Sequence, residues 1–212
     1  MIFTNDQLQK MIKGQPVGES YPYNQDDEGL IENFIKRIYY QLKKSRVFHY
    51  EADFEHFGSG YASFVCLFLT LKNGTSVMAK REYGAKQNTI IETDLEGICV
   101  YISRLAPVAV FNRGEYGFRK VVDQSGKVLS EQQTYNTWLL RNELNELPDK
   151  SWQWEWQQLK KQIEEYGILF LEEDYLKNSL SFLTEIPTIL VDKHHHDLGQ
   201  YRNFDAIFYW ED

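Results

Sequence analysis

Cysteine is scarce in this chain: only Cys66 and Cys99 occur in 212 residues, each inside an apolar run. Two such thiols read as small buried hydrophobes, not as a disulfide framework, and point to a reducing compartment, so a cytoplasmic location is expected. Long apolar stretches are also missing. The longest candidate, Phe64 to Leu71, falls well short of the roughly 20 residues a membrane-spanning helix needs. Met1 to Gly14 carries Asn5, Asp6, Gln7 and Gln9 and has no apolar centre of the kind a signal peptide requires. Basic residues are outnumbered, 23 Lys and Arg against 31 Asp and Glu, for a net charge of −8. That balance disfavours nonspecific binding to nucleic acid or anionic membrane, both of which are driven by basic side chains. The glycines form neither a Walker sequence nor Gly-x-Gly-x-x-Gly, and Gly58-Ser59-Gly60 reads as a strand connection. Ser103 and Ser125 lack any nucleophile signature. The sequence therefore assigns no catalytic residue and implies no cofactor. With no repeat, linker or sharp change in composition, residues 1–212 read as one domain.

What is present is a generous aromatic content, 15%, within an ordinary hydrophobic content of 42%, which suggests a thick core, an adhesive surface or both. The negative charge is uneven. From Lys161 to Asp212 four basic residues face eleven acidic ones, a net of −7, so the first 160 residues are nearly balanced. Such local acidity suits a basic partner, although a solvated face with no partner fits it equally.

Periodicity places the elements. Leu30, Ile31, Phe34, Ile35, Ile38 and Leu42 form one apolar stripe and predict a helix from about Asp27 to Lys44. From Val47 to Phe57 the period drops to two, with Phe48, Tyr50, Ala52 and Phe54 on one side and His49, Glu51, Asp53 and Glu55 on the other, as in a half-buried strand. Tyr61 to Leu71 suits a central strand covered on both faces. Lys72-Asn73-Gly74-Thr75 is a type I′ hairpin signal leading to a returning strand at Ser76 to Tyr83. Thr93 to Leu105 is ambiguous. The face shared by Leu95, Ile98, Cys99, Ile102 and Leu105, with a Thr93–Glu96 capping box, favours a helix. Gly97 and the β-branched Ile98, Val100 and Ile102 suit a strand. Val108 to Phe111 reads as a short strand, and Asp123-Gln124-Ser125-Gly126 as the loop of a second hairpin. From Ser130 the pattern turns helical, with Trp138, Leu140, Leu144 and Leu147 on its apolar side. A second helix is expected from Ser151 to Tyr166, stopped by Gly167. A short strand at Ile168 to Leu171, a brief helix near Glu172 to Asn178 and a strand at Phe204 to Trp210 close the chain. The fold class expected is α+β: an N-terminal helix, an antiparallel sheet of five or six strands, and a helical C-terminal segment returning to the sheet.

Each candidate site has a plainer alternative. His194, His195 and His196 with Asp197 invite a transition metal, but adjacent residues cannot all face one ion in a regular element, and a polar loop is the simpler reading. Glu51, Asp53 and Glu55 follow one another at about 7 Å along one strand. Paired carboxylates perform acid–base chemistry when one is buried, but three in a row more often make a solvated or partner-facing strip. His56 falls on the apolar side and reads as a core histidine. Trp152 and Trp156 join the stripe of their helix, whereas Trp154 lies about 160° from its centre and is expected to be exposed, as an interface anchor would be. Glu172, Glu173 and Asp174 concentrate the acidity of the C-terminal third. Glu51, Asp53, Glu55, Trp154, Glu172, Glu173 and Asp174 are therefore the candidate partner-binding residues, and no metal ligand is assigned.

The stretch Glu96-Gly97-Ile98-Cys99-Val100-Tyr101-Ile102-Ser103-Arg104-Leu105-Ala106-Pro107, together with Phe204-Asp205-Ala206-Ile207-Phe208-Tyr209-Trp210, resembles in style small bacterial immunity proteins of the polymorphic-toxin type. That resemblance implies a single-domain, non-catalytic protein that neutralises a toxin by occupying its surface. An acidic face would speed encounter with a basic toxin, and aromatic residues would anchor the contact. The expectation is thus an acidic module that binds a basic protein, and neither nucleic acid nor membrane. The alternative is a small metal-assisted enzyme using His194 to Asp197.

Overall fold

A computed structural model defines the fold over residues 3–55, 58, 60–85, 87–135, 139, 144–190 and 201–211. Its class is α+β, as expected, with seven strands in the main sheet. The chain opens with α1 (Asn5–Ile12), which sequence reasoning overlooked. Its signal is Thr4 and Gln7: Thr4 Oγ1 accepts from the Gln7 amide at 3.3 Å and Gln7 Oε1 accepts from the Thr4 amide at 2.9 Å, a reciprocal cap on two otherwise unpaired donors. The predicted N-terminal helix is α2 (Glu28–Leu42), capped by Asp27, whose carboxylate accepts from the Leu30 amide.

The main sheet runs β1 (Phe48–Asp53), β3 (Phe64–Leu71), β5 (Asn88–Ser103), β6 (Val108–Asp123), β7 (Val128–Tyr135), with β4 (Val77–Ala85) on β5 and β8 (Leu169–Phe170) parallel to β6. A separate pair joins β2 (Tyr61–Ala62) to β9 (Trp210–Glu211). The helix expected over 93–105 is instead the second half of β5. At Gly97 an added Cβ would lie 2.0 Å from the Leu69 carbonyl oxygen, so the glycine marks a close approach of two strands. The β-branched residues around it fill the sheet interior.

The predicted Asn73-Gly74 hairpin does not form. Only Gly74 takes a positive φ, 86°, whereas a type I′ turn needs two. Asn73 Oδ1 instead accepts from the amide and hydroxyl of Thr75, a local turn. The chain then continues in the same direction, so β3 and β4 lie end to end along one side of β5, pairing with 98–103 and 88–95 respectively. The hairpin after Asp123 does form, with Asp123 Oδ1 accepting from the Ser125 and Lys127 amides. It launches β7, which replaces the expected helix from Ser130: cross-strand pairing with β6 continues to Tyr135 and outweighs the helical spacing. Trp138 and Leu140 lie outside the described residues.

Helical layers cover the two faces of one half of this sheet. On the first, α2 and α3 (Gln153–Glu164) pack Ile31, Ile35, Ile38, Trp156, Leu159 and Ile163 onto Val65, Leu67, Ile98 and Val100. On the second, α1, α4 (Glu173–Lys177) and α5 (Asn203–Ile207) cover Phe64, Cys66, Tyr101, Val108 and Val110. Each large apolar side chain buried in this way contributes about 1.5–3 kcal/mol. The strand expected at 204–210 is mostly α5. Phe204 and Phe208 stack one turn apart at 5.6 Å, and Asp205 accepts from the Arg202 amide at 2.7 Å. Spacing of four fits both periods, and only the cap separates them. Ser63 fastens this segment to the sheet: its hydroxyl donates to Ile207 O and accepts from the Tyr209 amide.

Among the described residues no helix is long and apolar enough to cross a membrane.

Candidate functional site

The other half of the sheet is the feature from which a site can be built. Beyond Gly97 and its cross-strand partner Gly114, β5 and β6 carry on with β4 and β7 paired beside them. Among the described residues of 77–85, 88–96, 117–123 and 128–135 none is buried. Alternation gives this arm two unlike faces. One bears a charge ladder, in which Arg81 pairs with Asp94 at 3.0 Å and Arg119 with Glu92 at 3.6 Å. The other continues the second core face outward as a groove of about 560 Å³.

The groove is built upward from the two glycines. A Cβ on Gly114 would stand 2.4 Å from Cys99 Sγ and 3.1 Å from the Phe68 ring. Their bare backbones let Phe68 lie across the sheet and stack on Tyr116 at 5.1 Å with 21° between the rings. Ile91, Leu95 and Phe118 extend this floor, and Lys80, Lys120, His49 and Glu51 form its rim. The two lysines are already occupied. Lys80 pairs with Glu82 at 2.8 Å, and Lys120 reaches Glu131 at 3.6 Å while lying over the Phe118 ring. Burial, reinforced by the carboxylates of Glu51 and Glu131, pushes the Tyr116 phenol well above its usual range, so it stays protonated at any physiological pH. A concave apolar floor with a few polar groups at the rim is suited to receiving a side chain or small apolar ligand. Among the described residues nothing in the rim pairs a nucleophile with a base.

The candidate partner-binding residues do not converge. Glu51 lies opposite Phe68 in the β1–β3 register and joins the groove, and Asp53 follows on the same face. Glu55, exposed just past β1, donates its amide to Asp53 Oδ1 at 2.8 Å. Trp154 is exposed as predicted, at 64%, but sits on α3, over the opposite face. Glu172 precedes α4 and Glu173 and Asp174 form its first turn, next to β8. Between β1 and β8 stand β3, β5 and β6, which separates the two acidic regions by on the order of 19 Å at 4.8 Å per strand. They are two surfaces, not one. His56 and the His194–Asp197 segment lie outside the described residues, and among the described residues no cluster of His, Cys, Asp or Glu is placed to hold a metal. Phe68, Tyr116 and Phe118 were missed as site residues because aromatic side chains in a strand read as core. The usable signal was Gly97 and Gly114, since glycine inside a strand marks a close approach.

Family models of known proteins include none that matches this chain, and neither the curated proteins nor the solved structures yield a significant match.

Proposed function

We propose that this chain is a non-catalytic protein-binding module of immunity type, which neutralises a basic toxin by occupying its surface. The partner meets the β1 edge through Glu51, Asp53 and Glu55 and inserts an apolar side chain into the adjoining groove. The observation that carries this reading is the uncovered half-sheet: a groove whose base is the buried stack of Phe68 on Tyr116 opens beside an acidic edge strand. Several of the large apolar side chains most exposed in the molecule, Met78 and Leu129 among them, also stand on this arm. Surfaces of this kind mark contact sites, and clustered rim charge speeds the encounter of oppositely charged partners.

The test is coexpression with the basic toxin that this reading places in the neighbouring gene. The chain should restore growth, and Phe118→Asp or the pair Glu51→Lys and Asp53→Lys should abolish the rescue. Association of the purified proteins should slow at least about tenfold between 50 and 500 mM salt. A neighbouring gene for no toxin, or full toxin activity in the presence of equimolar chain, refutes the proposal.

A further inference from the structure

We propose that a second pocket, between the loop at 17–23, α2 and the end of α3, is a binding site for an organic cation, an ammonium group carrying methyl or methylene substituents. It shares no residue with the groove and has a volume of about 370 Å³. Its walls are aromatic rings set nearly at right angles. Tyr23 meets Phe34 at 6.2 Å and 85°, and Phe34 meets Tyr166 at 6.4 Å and 74°. Tyr21, 58% exposed, stands at the mouth. Rings turned against one another present several π systems to a single volume, and a cation held there is attracted by each. A guest that is both charged and wrapped in methyl groups satisfies the rings and the neighbouring Val17 and Pro107 together.

The cage is held in place. The buried Tyr23 hydroxyl donates to Ser103 O at 2.8 Å, which fixes that wall. Across from it Gly18 is obligatory, because a Cβ would come within 2.5 Å of Tyr23 Cβ. The charge pattern has the sign a cation needs. Glu19 lines the pocket, and among the described residues no Lys or Arg does. Arg104 makes itself felt at Tyr23, but its guanidinium is met by Glu32 at 2.7 Å and Glu28 at 3.7 Å.

Choline is the first probe, titrated into the full chain while the Gly18 and Gly167 amides are followed by nitrogen-15 NMR. The neutral isostere 3,3-dimethylbutanol is the control. Choline should shift both amides saturably and bind at least about tenfold more tightly than the isostere. Phe34→Leu and Tyr166→Leu should each weaken it about fivefold, and Glu19→Gln about twofold, with the thermal midpoint recording that each variant folds. The isostere comparison uses the unaltered chain and so decides even where a variant unfolds. Binding of choline and isostere with equal affinity, or unmoved Gly18 and Gly167 amides, overturns the proposal. A trimethyllysine peptide binding more tightly than choline identifies a protein side chain as the source of the cation; the reverse order identifies a free small molecule.

Discussion

The same two strands, β5 and β6, run through two different environments. In the half that holds 98–103 and 108–111 nearly every residue is buried, with helices on both faces. In the half that holds 88–95 and 117–123 every residue is partly or fully exposed, and the ion pairs across its strands, Arg81 with Asp94 and Arg119 with Glu92, lie at the surface. Backbone pairing continues without interruption from one half to the other. What changes is side-chain burial, so hydrogen bonding alone fixes the strands' path while packing decides which part is rigid. The division falls at Gly97 and Gly114.

The boundary itself should be the most sensitive point. Gly97→Ala puts a methyl group against the Leu69 carbonyl, and backbone cannot swing aside as a side-chain tip can. We expect a loss of about 4 kcal/mol in urea unfolding, and an unchanged midpoint would show that the strands are not tightly apposed there. Next comes a direct contrast between the halves. Leu67→Ala, in a fully buried position, should cost about 3 kcal/mol, whereas Ile91→Ala on the arm should cost about 1 kcal/mol or less. Equal losses would abolish the distinction.

A smaller, pH-dependent effect is expected in the covered half. Burial pushes the Glu32 carboxyl up, but hydrogen bonds from Lys36 and Arg104, with their positive charges, outweigh it and hold the group below its usual value. A carboxyl depressed in the folded state adds stability at pH values above its unfolded pKa, and that stability is lost as pH falls through the folded value. Glu32→Gln should therefore lower the urea midpoint near neutrality by an amount that shrinks steadily below about pH 4.5. A deficit that stays constant down to pH 2 would show that the carboxylate's charge is not what matters.

The most legible elements lie in the covered half, and the reason is physical. The stripe of α2, the Trp152–Ile163 spacing of α3 and the apolar run of β3 each record a single burial requirement, and all three elements are where periodicity puts them. Where two periods fit equally, the outcome turned on a contact that spacing does not show. Thr93 to Leu105 has a helical face, yet it pairs with β3 and β6; Phe204 to Phe208 alternates like a strand, yet Asp205 caps it as a helix. The groove was hidden for a related reason. Its floor comes from three strands whose order depends on β3 and β4 lying end to end, and the Asn73-Gly74 signal argued for the opposite. Of the acidic residues singled out, only Glu51 reaches that groove, because composition records how much charge a segment carries and not which edge of a sheet it lies on.

The uninterrupted length of β5 and β6 also has a consequence for how the molecule moves in solution. Each strand has 16 residues and so extends about 50 Å. A compact chain of this size has a radius of gyration of about 17 Å, which for a sphere means a diameter of about 44 Å, so each strand crosses the full width of the molecule. Pairing that runs unbroken from end to end ties the arm to the covered half, and the amide nitrogens of 88–95 and 98–103 should relax with one common tumbling time.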